Sequence, residues 1–413
     1  MTIKDGQATM SATRTYDGPA LFSYGFRPFF LLGSIYAGLA ILVWLPVFTG
    51  ELNLVSAFIP RDWHVHEMLY GFLPAVITGF LFTAIPNWTG RLPLRGRPLM
   101  FLVALWIAGR LCVTFSAETG WVAAMLVDCS FILSIAVAAA REIIAGKKWN
   151  NLGIVVLILI LLTGNVTFHL EAHIKGSADI SIRVGIAVVV LLISLIGGRI
   201  IPSFTRNWLV KEKPGRLPVP FARFDRLTIA VSAAALACWI VEPAGALSGS
   251  ALILAGALQL IRLARWAGDR TVRERLLLIL HVGYFFIPAG FLLNACGAFG
   301  LIPAGAGIHA WMAGAAGIMT LAVMSRATLG HTGQPLTASV ATQAVYASIL
   351  IAVVARIFVA VEPAYGLPVL YLAALAWTAA FLGFAVTFGP LLVGFEKRRI
   401  PPGISSPARS ITP

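Results

Sequence analysis

Charge is scarce in this chain. Of its 413 residues 12% are charged, only 17 are acidic and 59% are apolar, with a mean hydropathy of +0.87. Soluble domains carry about 25% charged residues, so the shortage excludes the two or three soluble domains that the length would otherwise allow. Cysteine is also sparse: Cys112, Cys129, Cys238 and Cys296 fall in four different apolar runs without Cys-x-x-Cys spacing. They read as small packing residues and exclude a disulfide framework. Long polar stretches are missing too, which leaves no material for a second domain. The first 25 residues, with Lys4, Asp5, Arg14 and Asp17, lack an apolar core, so they read as a polar tail and not as a cleaved signal peptide.

What is abundant is apolar sequence in runs of about 20 residues, the length that spans a bilayer as a helix. Such runs fall at 28–48, 63–86, 98–116, 121–140, 151–171, 182–202, 226–241, 247–264, 276–296, 308–327, 340–360 and 367–393, numbered here as helices 1 to 12. The expected fold is therefore all-α and integral to the membrane, one domain over 26–395 with tails at 1–25 and 396–413. Helices are required because lipid offers backbone groups no other partners. Of the 31 Lys and Arg, 25 lie in the tails and in the loops on one side, whereas the opposite loops hold only Arg61 and Lys175. The positive side is the cytoplasmic one, which puts both termini in the cytoplasm. Arg110, Arg183, Arg199 and Arg356 remain within or at the ends of spans. The net charge of +14 is thus a topology signal. The loops are too short to build a surface for nucleic acid, and the partner expected for the outside of the bundle is membrane lipid.

The chain matches itself at a period of roughly 120 residues. Helices 7 and 11 both end in Val-Glu-Pro-Ala, at Val241 and Val361, and helix 3 ends in the looser Ser116-Ala-Glu118-Thr-Gly120. The far ends of helices 2, 6 and 10 read Ile85-Pro86-Asn-Trp88-Thr89-Gly90-Arg91, Ile201-Pro202-Ser-Phe204-Thr205-Arg206 and Leu329-Gly330-His331-Thr332-Gly333. Three four-helix units follow, near 20–144, 145–267 and 268–395. They imply a pseudo-threefold arrangement with helices 2, 6 and 10 equivalent, and sites of repeat-built membrane proteins lie between repeats.

Seven histidines mark where the chemistry belongs, because ionisable groups at membrane depth are costly. His64 and His66 open helix 2, His169 and His173 close helix 5, and His309 opens helix 10, so five share the outer third. His281 and His331 belong to the cytoplasmic side. His309 and His331 are 22 residues apart, about 33 Å of helix, and cannot share one metal. Imidazole suits copper, zinc and haem iron. His169 and His173, four apart, share a helix face. His64 and His66 are separated by about 200° and face different neighbours. His66 and His309 each precede an equivalent glycine, Gly90 and Gly333, by 24 residues. A haem held between two helices needs histidines at matched depth, which makes His66 and His309 the expected axial pair. Met68 and Met312, each within one helical turn of an outer histidine, could complete a Cu(I) site. His281 and His331 are weaker ligand candidates.

Other embedded polar groups have assigned tasks. Asp128, in the middle of helix 4, is read as a hydrogen-bonding group or a proton relay. Glu67 is placed to orient a histidine ligand or to accept protons. Arg199 either neutralises a haem propionate or substrate anion, or snorkels to the surface.

Trp63-His-x-His-Glu67-Met68, Gly79-Phe80-Leu81 and Asn87-Trp88-Thr89-Gly90 resemble the NnrS family. So do Gly197-Gly198-Arg199-x-Ile201-Pro202-x-Phe204-Thr205 and Met324-x-Arg326-Ala327-x-Leu329-Gly330-His331-Thr332-Gly333. The resemblance implies a bacterial inner-membrane protein of twelve helices that carries haem and copper and acts in the response to nitric oxide and nitrosative stress. By architecture alone, three four-helix units with histidines on helices 2 and 10 also resemble the catalytic subunit of haem-copper oxidases and nitric oxide reductases. Helices 6 and 7 hold no histidine, however, so a second metal would have to use His64, His169 and His173. The expected function is a haem b protein, with copper, that binds or turns over nitric oxide or a related nitrogen oxide in denitrification or nitrosative stress. Its electron donor is unidentified, and an oxidoreductase activity is an open question. The rival is a transporter of copper, haem or a metal–nitrosyl species.

The topology has a direct check. A fluorescent protein fused after the last residue is expected to glow in cells, whereas a periplasm-dependent phosphatase inserted at Gly176 is expected to be active; the reverse pattern would invert the orientation.

Overall fold

The computed structural model describes residues 16–212 and 214–395, all-helical apart from short connections, with no strand among them. The expected tails at 1–25 and 396–413 lie largely outside the described residues. Twelve helices long and apolar enough to cross a membrane run over Phe26–Phe48, Pro60–Thr89, Arg97–Thr114, Trp121–Ala145, Trp149–Lys175, Asp179–Leu209, Arg223–Val241, Ala246–Ala264, Arg275–Ala298, Gly305–Thr332, Val340–Val361 and Pro363–Val393. They correspond one to one to helices 1 to 12, and the chain is a multi-pass membrane protein. Most run past their apolar stretch because polar residues extend the helix beyond lipid. Helices 2 and 10 continue through Thr89 and Thr332 to Gly90 and Gly333, whose φ of 72° and 74° ends each helix in the left-handed region that favours glycine. Helix 3 is the exception. It stops at Thr114, and Ser116–Thr119 form a separate turn whose Ser116 Oγ accepts the Ala57 N–H at 2.8 Å.

Helices 2, 6 and 10 meet one another at the centre. Helix 9 packs on helices 6 and 10, helix 4 on helices 2 and 5, and helix 12 closes the bundle against helix 1. Arg27 Nη1 fastens that closure by donating to the Leu391 and Leu392 carbonyls, both at 2.9 Å. The first and last helices therefore share one end of the bundle, and the opposite end is the distal face. Large exposed apolar side chains, Phe101, Leu126, Val354 and Val386 among them, ring the outside.

The two central helices 2 and 10 share an irregularity. Each begins with a short α segment, Pro60–His66 and Gly305–His309, and then widens into a π-helix over Glu67–Phe72 and Ala310–Gly317 before resuming α geometry. A π segment changes which way the residues on either side of it point, and such segments concentrate at functional sites. Here each follows directly after a histidine. Tyr70 anchors the first of them: its hydroxyl donates to the Ser181 carbonyl at 2.7 Å. Gly164 and Gly185 make room, since a Cβ at either would meet the phenol oxygen at 2.8 or 2.6 Å.

On the side nearer the chain ends, fully buried Arg262 of helix 8 ties four helices together. It donates to Asp225 Oδ1 of helix 7, to the Ser194 carbonyl of helix 6 and to the Tyr284 hydroxyl of helix 9, each at 2.9 Å. Tyr284 in turn donates to Gln259 Oε1 at 2.8 Å. Truncating one partner of such a pair strands the other in apolar surroundings, at a cost of about 3–5 kcal/mol. Arg262→Met is therefore expected to lower the thermal unfolding midpoint in detergent clearly, while Arg226→Ala on the exposed face of helix 7 stays within about 0.5 kcal/mol. Equal midpoints would refute a structural role for Arg262.

Candidate functional site

Two polar assemblies occupy the distal half. The first is a cavity of about 760 Å³ walled by helices 1, 2, 6, 7, 9, 10, 11 and 12, within the 300–1,000 Å³ range of ligand and cofactor sites. His64 of helix 2 and His309 of helix 10 both line it, with Met68 and Met312 nearby. His309 Nδ1 lies 2.7 Å from the Gly305 carbonyl and must donate to it. Its Nε2 then carries the free lone pair, the tautomer that a metal-ligating histidine adopts. His64 is held by Trp44, with ring centroids 4.4 Å apart and planes 30° from parallel.

The rest of the wall is apolar and cationic. Arg61, Arg183 and Arg356 line it. Arg61 pairs with Asp62 and Asp179 at 2.7 and 2.9 Å, and Arg183 Nε donates to the Ile240 carbonyl at 3.0 Å. Arg356 makes no ion pair or hydrogen bond with any described residue. Two further polar atoms in residues of this wall, Trp44 Nε1 and Asn294 Oδ1, are buried without a partner. A cation and orphaned polar atoms beside an apolar space are costly; an anionic group on a ligand would meet Arg356 and the Trp44 N–H, and a ligand donor would meet Asn294 Oδ1.

The second assembly is a dry cluster contributed by five consecutive helices. Fully buried His66 places Nδ1 3.1 Å from Glu67 Oε1 and Nε2 2.9 Å from Asn165 Oδ1 and 3.2 Å from Asp128 Oδ2. His169 Nε2 is 3.3 Å from the same Asp128 oxygen, and Asn165 Nδ2 donates to it at 2.6 Å. Arg110 of helix 3 donates to Glu67 Oε1 at 2.7 Å and to Asp128 Oδ1, and Tyr36 of helix 1 donates to Glu67 Oε2. Glycines permit this closeness: a Cβ at Gly71 would sit 2.5 Å from Arg110 Nη1, and one at Gly109 would sit 3.2 Å from the Asp128 backbone. His66, Asp128 and His169 each offer one donor atom within 4.8 Å of the others, so the group could hold a metal ion.

A family model described as NnrS protein matches residues 20–395, nearly the whole described chain. The chain belongs to the NnrS family. Membership implies a membrane protein of the nitric oxide response. No curated protein matches the chain significantly.

For this NnrS protein the structure sorts the outer histidines differently from the axial pair expected at His66 and His309. His309 lines the cavity, but His66 does not; the side chain from helix 2 that does is His64. The two are about 200° apart on the helix, and the pull of Asp128 and Glu67 takes His66 to the other side. His169 and His173 do not meet as a free chelating pair. His169 is engaged by Asp128, and His173 is exposed and stacked on Trp121 with centroids 4.3 Å apart. Both line a smaller cavity of about 220 Å³ with Phe58 and Ser116. Glu67 orients His66, as one of its expected roles required, and Asp128 is paired and not solitary.

The inner candidates stand apart from both assemblies. His281 donates through Nδ1 to the Leu277 carbonyl at 3.0 Å and packs against Gly268. His331 is exposed beside Tyr24 and Phe26, and Arg199 is exposed and reaches Asn151 at 3.5 Å. Sequence reasoning missed Arg110, Asn165, Tyr36 and Arg356 as site residues. The signal existed for the two arginines: each is a charge inside an apolar run, which demands either a counter-charge or a ligand.

Replacing Arg110 tests the cluster. Arg110→Leu leaves two buried carboxylates facing one another and is expected to cost about 3–5 kcal/mol, read as a large loss of folded protein and of melting temperature. His173→Ala, which removes an exposed ring, leaves both nearly unchanged.

Proposed function

We propose that this NnrS protein binds haem b in the distal cavity and there binds or turns over nitric oxide or a related small nitrogen oxide, in the bacterial inner membrane with both termini cytoplasmic. One observation carries the reading: His64 and His309, on central helices 2 and 10, line one apolar cavity whose wall also holds a cation without a partner, Arg356. The donor set suits haem. Two imidazoles from facing helices would hold the iron, and Arg356, Arg183 and Arg61 would meet the propionates. Bound there, haem would supply a one-electron redox centre, and a small gas would reach the iron once one of the two histidines leaves it.

The protein's own contribution is positional and electrostatic. The Gly305 carbonyl fixes the tautomer of His309, Trp44 restrains the ring of His64, and the apolar wall keeps water out. Arg356 supplies positive potential in a medium where little screens it. Neutral gases partition into bilayers, so the polar route of an ionic substrate is not required.

A second reading has its own support. His64, Met68, His309 and Met312 together form a set of two imidazoles and two thioethers, which suits Cu(I), and that favours copper handling or transport at the same cavity.

Oxidised and reduced visible spectra of the purified protein, with a pyridine haemochrome and metal analysis, separate the two. A six-coordinate haem b spectrum is expected, lost in His64→Ala and in His309→Ala but kept in His169→Ala. Copper without haem in the wild type would sink the haem reading and leave the copper one.

A further inference from the structure

We propose that His66, His169 and Asp128 form a second metal site, separate from the distal cavity, for a divalent ion of the zinc and copper class. Nε2 of both histidines approaches one atom, Asp128 Oδ2, at 3.2 and 3.3 Å. Two imidazole nitrogens and a carboxylate oxygen are a borderline donor set that suits Zn(II) and Cu(II). Asn165 Oδ1, 2.9 Å from His66 Nε2, offers a fourth donor.

The surroundings have the form that metal sites need. Ligating histidines donate their other ring N–H to a carboxylate or carbonyl, and His66 Nδ1 has Glu67 Oε1 at 3.1 Å. With Nδ1 donating, the Nε2 lone pair of a neutral His66 faces two oxygens, an arrangement that a cation between them relieves. Arg110 takes the other oxygen of Asp128, and Oδ2 faces the two rings together with the Asn165 amide, which donates to it at 2.6 Å.

Charge leaves room for a cation. Glu67 and Asp128 are two negative charges against the single positive charge of Arg110, all three buried, and an uncompensated charge inside the bundle is expensive. One further positive charge balances the group, supplied either by a proton on His66, which faces both carboxylates, or by an ion that carries one anionic ligand. His169 is 1% exposed and offers Nε2, while its Nδ1 lacks the acceptor that His66 has in Glu67. The smaller cavity, lined by His169 and exposed His173, adjoins the site and provides an approach for an ion.

This inference does not rest on the haem reading, because its ligands are different side chains. Its test uses the full chain in detergent, stripped with chelator and titrated with Cu(II) and with Co(II). One equivalent is expected, with nitrogen hyperfine structure from two imidazoles in the Cu(II) paramagnetic resonance spectrum and visible d–d bands from Co(II). His169→Gln and His66→Gln are expected to weaken binding by about 10-fold or more, with haem content and melting temperature retained in His169→Gln. No uptake by the wild type, or uptake that His169→Gln leaves unchanged, would overturn the proposal. A chain without haem that still takes up the ion supports this site and sinks only the cavity reading.

Discussion

The pairing of Arg110 with Glu67 and Asp128 is the interaction on which the polar interior depends. A guanidinium or a carboxylate alone in the bundle would be prohibitively placed, so each of the three is tolerable only while the other two are in register. That requirement sets helix 3 against helices 2 and 4. Through Tyr36, His66, Asn165 and His169 it extends to helices 1 and 5. Buried ion pairs add little net stability compared with apolar packing, but they penalise every arrangement in which they are broken. Five helices whose outer surfaces are almost uniformly apolar gain from this the specificity that packing alone would leave loose. Gly71 and Gly109 belong to the same device, since their missing side chains let Arg110 and Asp128 close on their partners.

Arg262 does for helices 6 to 9 what Arg110 does for helices 1 to 5, and the comparison isolates Arg356. Arg110 and Arg262 are each satisfied by an acid on a neighbouring helix. Arg356 lines the distal cavity with His64 and His309 and has no acid to meet among the described residues. Arg356 is thus a cation with no acid partner beside two ligand-type histidines. The economical explanation is that the counter-charge arrives with a ligand. The orphaned Trp44 N–H of the same wall points the same way.

The helix count was legible in the sequence, because lipid enforces it through the length of apolar runs. Direction around the helix axis was less so. Equal spacing from Gly90 and Gly333 paired His66 with His309, yet it could not show that His66 turns toward Asp128 while His64 lines the cavity with His309. Asp128 reads as a hydrogen-bonding group, but its partners were not legible, because they come from Arg110, 18 residues earlier, and from His66 and His169 on other helices. Long-range pairing of this kind leaves no local pattern. Arg110 and Arg356 were visible as intramembrane charges, whereas Asn165 and Tyr36 are ordinary residues for a span and carried no signal. Arg199 is exposed and reaches Asn151, away from both assemblies.

Two residues of one turn serve two different places, and this links them mechanically. His64 and His66 are carried by the same short α segment, Pro60–His66, pinned at its start by Asp62, which accepts the Ala178 N–H at 2.8 Å. Immediately after it the helix widens into its π segment, and helix 10 does the same after His309. A π turn is held by weaker geometry than an α turn and is the natural place for a helix to absorb a small rotation. Any change in what holds His66, whether a proton, an ion or the loss of Asp128, therefore acts on the orientation of His64 with no intervening structure. The dry cluster is in this sense part of the cavity's wall although it does not touch the cavity. The histidine from helix 2 is set by charges on helices 3 and 4, and the one from helix 10 by its own backbone at Gly305, so the two sides of the cavity are held by independent means.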